Sequence, residues 1–267
     1  MELEIYVVDA FTDKQFKGNS AAVVPLTDWL DDGLMQHIAA ENNLSETAFI
    51  KFFSHNRYEI RWFSPLTEID FCGHATLAAS FVLFDHLGCE GELQFMTTHA
   101  GSLSVTQLAD GRIQMSFPIR APAPLNKVPE ALIAGLSITP RAVLKSGQAY
   151  FAIMSSVDEV ERLQYQSDIL KTLAPLDVVV TAQVDVAESE YDFVSRYFWP
   201  ANGGDEDPVT GSIHAGLVPY WGAILEKQTL VARQASARGG VLYCQLEGQR
   251  VLVSGYGVLY LLGTIYV

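Results

Sequence analysis

The sequence predicts an α+β fold of two pseudo-symmetric domains, each a curled mixed β-sheet around one central buried helix. Three observations predict it. Two stretches, Ala75 to Phe84 and Ile213 to Leu225, are apolar on nearly every face, and a helix of that kind is buried inside something larger. Short runs rich in Val, Ile, Tyr and Phe recur around both of them, which reads as strands. Pro118, Pro122, Pro124 and Pro129 punctuate one segment and divide the chain almost in half. We therefore expect an N-terminal domain over 1–118 with its central helix at about 74–88. A C-terminal domain over 119–267 carries the other, at about 211–226. The two halves repeat one recipe, an internal duplication of architecture rather than of sequence.

In the first half, strands are expected at 4–10, 21–25 and 48–53, with an amphipathic helix at 28–41. Asp28 is the expected cap of that helix, and Leu30, Leu34 and Ile38 mark its apolar face. Arg57 to Ser64 alternates between Tyr58, Ile60 and Trp62 on one side and Arg57, Glu59 and Arg61 on the other. That is a half-buried strand in a hairpin with its predecessor. The central helix should stop at Gly88. Strands follow at 92–97, 101–107 and 112–117. In the second half, strands are expected at 141–146, 149–154, 177–182 and 192–198, with short helices near 157–163 and 166–173. Closing strands fall at 229–233, 240–246, 250–254 and 258–266. Pro219, well inside the second central helix, should kink it.

Composition bounds the function. Hydrophobic residues make up 49% of 267 and charged ones only 18%, so the chain can bury a sizeable core and does not read as disordered. A formal net charge of −14 argues against nucleic-acid binding and against attraction to anionic lipid. No apolar run reaches membrane-spanning length, and the start, MELEIYVVDAF, does not read as a signal peptide. Three widely spaced cysteines signal neither a disulfide framework nor a zinc site, so a reducing cytoplasm is expected. No H-x-x-x-H pair and no strand–GxGxxG–helix unit occurs, so neither a metal nor a cofactor is expected.

The chemistry concentrates at two helix starts. One is Gly73-His74-Ala75-Thr76. The other follows the loop GGDEDPVTGSIH, Gly203 to His214. Backbone N–H groups at a helix start lack helical partners and carry partial positive charge, so small residues there let an anion approach. Each residue has a blander reading. Glu46 alone reads as a surface carboxylate, His74 as a histidine bonded to backbone, Asp207 as a turn residue and Ser212 as an N-cap.

The segments AENNLSETAF (40–49), FCGHATLA (71–78), EDPVTGSIHAGLVPYW (206–221) and QASARGG (234–240) occur in order along the chain. Together they resemble the PhzF-like family, named for an isomerase of phenazine biosynthesis. GNSAAVV (18–24) is similar to that family's Gly-Asn-Pro motif, with Ser20 in place of the proline. The resemblance implies the two-domain fold of diaminopimelate epimerase, with the active site in the cleft between domains and the last strand often returning to the first domain. It implies Glu46 as the acid/base, assisted by His74 and Asp207. Asn19, Gly73, Ala75, Thr210, Gly211, Ser212 and Ile213 would line the substrate site.

Moving a proton at a carbon beside a carboxylate or enamine needs a base near that carbon and a place for developing negative charge. Backbone N–H groups of the two helix starts would supply the second. The expected activity is a cofactor-independent isomerisation of a small carboxylate-bearing metabolite. An epimerase or dehydratase of an amino or imino acid is an alternative, and so is a non-catalytic carboxylate receptor. A homodimer is a family-level expectation. Cys72 occupies the place of one thiol of the two-thiol epimerases, but its counterpart is Pro208, so it is expected to be a small buried residue.

Overall fold

β-Branched and aromatic residues build the first strand, β1 (Glu2–Ala10), which pairs antiparallel with β2 (Asn19–Leu26) in the computed structural model. Residues 1–99, 101–185 and 189–267 are described. Helix α1 (Asp32–Asn42) carries the chain back, so that β3 (Glu46–Ser54) lies parallel to β2. The cap of α1 is Asp31, whose carboxylate accepts from the Gly33 N–H, and not Asp28. The reason is packing: Trp29 and Leu30 lie against the core ahead of the helix, and Met35, Ile38 and Ala39 form its buried face.

The alternating strand β4 (Arg57–Phe63) forms the expected hairpin with β3, and β5 (Glu68–Ile69) adds a short antiparallel edge. Next comes the central helix α2 (Gly73–Phe81), buried from Gly73 to Ser80. Its two hydroxyls are satisfied inside the helix: Thr76 donates to the Cys72 carbonyl at 2.6 Å and Ser80 to that of Thr76 at 2.8 Å. The α-helix does not run to residue 88. Val82–His86 widens into a π-turn, with the Leu87 N–H donating to the Val82 carbonyl at 3.0 Å, and Gly88 at φ +68° ends it. A second crossover then places β6 (Leu93–Met96) parallel to β4, followed by the antiparallel strands β7 (Ser102–Gln107) and β8 (Ile113–Pro118).

The second half repeats this connectivity. After β9 (Ala123–Pro124) and α3 (Glu130–Ala134), β10 (Ala142–Lys145) pairs antiparallel with β11 (Ala149–Ile153). The short helices α4 (Val157–Arg162) and α5 (Ser167–Leu170) cross over to β12 (Asp177–Gln183), parallel to β11. β13 (Phe193–Phe198) returns antiparallel and meets the two-residue β14 (Glu206–Asp207). The central helix α6 (His214–Leu225) then crosses to β15 (Thr229–Gln234), parallel to β13. β16 (Gly240–Glu247) pairs antiparallel with β15, and β17 (Arg250–Gly255) follows it. Each half is thus a mixed sheet with two crossovers, the second made by the most apolar helix of that half.

Pro219 sits inside α6 and can donate nothing to the Ala215 carbonyl one turn earlier. The Arg120 N–H donates to that carbonyl instead, at 2.9 Å. Gly216 is required beside it, because a Cβ there would meet Phe151 at 2.6 Å. Trp221 is fully buried, stacks on Phe193 and donates its indole N–H to Thr181 Oγ1 at 3.0 Å.

By internal contacts the chain divides into one unit of Met1–Ser116 with Ser254–Val267 and another of Phe117–Val253. The last strand, Gly257–Tyr266, pairs antiparallel with β1. The last strand thus belongs to the first unit, and the second unit ends near residue 253. Among the described residues no helix is long and apolar enough to cross a membrane.

Candidate active site

In the first unit, the starts of three elements bring their side chains together. Asn19 opens β2, Glu46 opens β3, and His74 is the second residue of α2. All three are buried: Glu46 is 6% exposed, His74 5% and Asn19 not at all. The Ser45 hydroxyl donates to Asn19 Oδ1 at 3.0 Å, and Asn19 Nδ2 lies 3.1 Å from His74 Nδ1. With Nδ1 accepting from Asn19, a neutral imidazole carries its proton on Nε2. That nitrogen lies 2.9 Å from Glu46 Oε2. The N–H is not aligned on the oxygen, so the contact is an ion pair and Glu46 Oε2 holds no aligned hydrogen bond.

Burial opposes a charged imidazole at His74, but the Cys72 sulfur and the Glu46 carboxylate outweigh it and raise its pKa well above the ordinary value. Cys72, just before α2, has its sulfur 3.4 Å from His74 Nδ1. Burial, reinforced by Glu46, pushes its thiol up to about 11. The Cys72 sulfur and the Glu46 carboxylate thus both bear on the His74 proton. Turning the Asn19 amide by half a rotation would let Oδ1 accept from a protonated Nδ1, with Ser45 as acceptor for Nδ2. The same groups thus serve both protonation states of His74. Cys72 offers α2 no side-chain capping bond, so the first-turn N–H groups of Gly73 to Ala75 keep their positive end beside Glu46 and His74.

The second unit holds the other sequence-predicted residues. Asp207 accepts from the Thr210 hydroxyl. Fully buried Gln234 clamps the loop between them: its Nε2 donates to the Asp207 carbonyl at 2.7 Å and its Oε1 accepts from the Thr210 N–H at 2.9 Å. Ser212 Oγ accepts from Gln148 Nε2 at 2.9 Å. Gly211, Ser212 and Ile213 are not yet α-helix. His214, Ala215 and Gly216 N–H groups bond three residues back, a tighter turn that feeds α6.

Several residues in these networks were not picked out from sequence. Ser45 and Gln234 stand inside recognised segments, and their neighbours offered a signal. Gln148 and Arg196 had none. Arg196 forms a bidentate pair with Glu206, at 2.8 and 2.9 Å, and so fixes the residue before Asp207. Among the described residues, Glu46, Cys72 and His74 bring their ligand-type atoms within 4.8 Å of one another. Inspection of local spacing could not find this cluster, because Glu46 comes from an earlier strand.

His214 is fully buried, its Nδ1–H donates to the Thr210 carbonyl at 3.0 Å, and its Nε2 has no partner. Burial lowers its pKa to about 4. Above the ordinary histidine value both folded and unfolded forms are neutral, and no stability depends on it. As pH falls from about 6.5 toward 4, only the unfolded chain takes the proton, so the fold loses stability. The loss amounts to roughly 3 kcal/mol. His214→Asn keeps a donor for Thr210 and should flatten urea-measured stability between pH 6.5 and 4 by up to about 1.4 kcal/mol per pH unit. An unchanged slope would show that His214 is not held neutral.

A family model described as phenazine biosynthesis-like protein matches residues 8–263. A Pseudomonas aeruginosa protein named an uncharacterized isomerase is 44% identical over 266 residues, covering 100% of both chains. A solved Enterococcus faecalis structure titled as a phenazine biosynthesis protein of the PhzF family superposes with a TM-score of 0.93. It is 40% identical and covers 100% of both chains. A solved Pseudomonas aeruginosa structure, titled a predicted epimerase, superposes with a TM-score of 0.73 over 99% of each chain. At 20% identity it shows the shared fold alone. The family and the names of its members support an enzyme of isomerase type. By a match that runs almost from end to end, the chain belongs to the PhzC-PhzF family of phenazine biosynthesis-like proteins.

Proposed function

We propose that the chain is a cofactor-independent isomerase that moves a proton between two positions of one small carboxylate-bearing metabolite, with Glu46 as the acid/base. The observation that carries this reading is the buried Glu46 carboxylate. It lies beside the His74 imidazole at 2.9 Å, and Oε2 is left without an aligned donor. An unsatisfied buried carboxylate oxygen is costly, and it is also free to take a proton from a substrate carbon. His74 holds the counter-charge beside Glu46 while the carboxylate is ionised and relaxes as it becomes protonated. The N–H groups of Gly73 to Ala75 stabilise negative charge that develops on the substrate.

Asn19 positions His74. Asp207, Thr210, Gly211, Ser212 and Ile213 are proposed to hold the polar groups of the substrate, Asp207 an amino or hydroxyl group and Ser212 the carboxylate. An epimerase uses the same base and differs in returning the proton to the carbon it left.

The test is deuterium wash-in over a panel of carboxylated metabolites. Incorporation at a second carbon, with no water lost, marks the isomerase. Incorporation only at the original carbon marks an epimerase. Tight binding of one metabolite with no exchange over long incubation would leave a receptor and end the catalytic reading.

A further inference from the structure

We infer that Asp177, Tyr197 and Gln148 form a hydrogen-bond chain of fixed direction that makes Ser212 a donor, and so sets the proposed substrate site before α6 to accept a deprotonated carboxylate. This rests on the reading of Ser212 as the holder of the substrate carboxylate, and on neither Glu46 nor any proton transfer.

The fold brings the members together. The parallel β11–β12 pairing sets Ala149 opposite Asp177, and the Asp177 N–H donates to the Gln148 carbonyl at 3.2 Å. The antiparallel β12–β13 pairing places Tyr197 opposite Val179, at the same end. The chain starts at a group that can only accept. Asp177 Oδ1 accepts from Asn202 Nδ2 at 2.8 Å, and Oδ2 accepts from the Tyr197 hydroxyl at 2.7 Å. Burial raises the Asp177 carboxyl, and these two bonds oppose the rise. Burial, and after it Asp177, raises the pKa of Tyr197 well above the ordinary value, so the phenol keeps the proton it donates.

With that proton committed, Tyr197 Oη presents only lone pairs to Gln148. The amide therefore turns Nε2 toward it, at 3.1 Å, because Oε1 in that place would set two acceptors against each other. Nε2 carries two protons. One goes to Tyr197 and the other to Ser212 Oγ, at 2.9 Å. Ser212 is thus an acceptor toward the chain, and its own hydroxyl proton meets no acceptor among the described residues. Ser212 is half-buried, so that proton is left for an incoming group with a lone pair to offer. Gln148 is a positioning residue: it acts through Ser212.

The probe is benzoate, titrated into the full chain while the ¹⁵N–¹H signals of Gly211, Ser212 and Ile213 are followed by NMR. The wild type should give saturable shifts at all three. Asp177→Asn is the decisive variant. Asn202 keeps the oxygen of the new amide, so its nitrogen faces Tyr197 and donates. Tyr197 then donates to Gln148, the Gln148 amide turns over, and Ser212 spends its proton on Oε1. Benzoate should bind about tenfold or more weakly. Removal of a negative charge would, through its field alone, tighten an anion instead. The loss should vanish in the Ser212→Ala background, since the chain acts only through that hydroxyl. If Asp177→Asn does not fold, Gln148→Met carries the test. The backbone bonds of Gln148 to Ser146 and Asp177 do not need its side chain, and the freed Ser212 hydroxyl should weaken benzoate about threefold, again only with Ser212 present. Unchanged or tighter binding in the folded variant, an equal loss with and without Ser212, or no shift at the three signals in the wild type overturns the inference. Benzoate bound as described by a chain that exchanges no deuterium would retire the proton-transfer reading and keep the chain of bonds; deuterium exchange without a benzoate response would do the reverse.

Discussion

Replacing Glu46 with Gln is expected to lower the deuterium wash-in rate by at least about 10²-fold while leaving the far-ultraviolet circular dichroism spectrum unchanged. The substitution keeps size and shape. The backbone of Glu46 pairs with Ala21 in the parallel β2–β3 ladder and does not depend on the charge. What is lost is the ability to take and return a proton, since an amide does neither near neutral pH. Glu46→Asp separates chemistry from position. It keeps the carboxylate but draws it back by one methylene, and a displacement of about 1 Å costs on the order of 10²-fold when a reacting group must be placed. Turnover at the wild-type rate in Glu46→Gln would remove Glu46 from the mechanism.

Arg196→Met is expected to destabilise the fold by about 3–5 kcal/mol. The Arg196 guanidinium is almost wholly buried, and each of its edges is used. Nε and Nη2 donate to the two oxygens of Glu206, and Nη1 donates to the carbonyls of Leu163 at 2.8 Å and Val160 at 3.1 Å. One residue thus ties β13 to the end of α4 and to the loop that carries Asp207. Met fills much of the volume but leaves a carboxylate and three carbonyls, those of Val160, Glu161 and Leu163, without their donor, and the stranded charge dominates the cost. Urea denaturation measures the loss. Hydrogen exchange at the Thr210 amide should quicken as well, because Glu206 no longer anchors the loop that the Gln234 clamp closes. A loss below about 1 kcal/mol would mean that solvent replaces Arg196 without penalty.

The two predictions differ in how far sequence alone could have reached them. Glu46 and His74 stand in segments that carry the family pattern, and the two apolar helices declare their burial by having no polar face. The pairing between Glu46 and His74 is another matter. It arises because two parallel crossovers, through α1 and α2, set the starts of β2, β3 and α2 side by side. No local spacing encodes that meeting. Cys72 shows the cost: read as a small buried residue, it also faces both His74 and Glu46 in the fold. Arg196 was silent for the same reason, since Glu206 reaches it only through the β13–β14 register that sets Phe198 opposite Glu206. Boundaries failed where packing overrode a local signal. Trp29 and Leu30 join the core before α1 begins, which moves the cap from Asp28 to Asp31. The tight turn at Gly211 to Ile213 delays α6 to His214.

The central physical claim is that Glu46 and His74 form a buried ion pair, and imidazole ¹⁵N NMR reads it directly. His74, assigned by the signal missing from His74→Asn, should titrate well above the ordinary histidine range in the wild type. In Glu46→Gln, with one of the two partners that raise it gone, it should move down toward the ordinary range. A His74 that titrates at the ordinary value in the wild type, or that does not respond to Glu46→Gln, would contradict the claim.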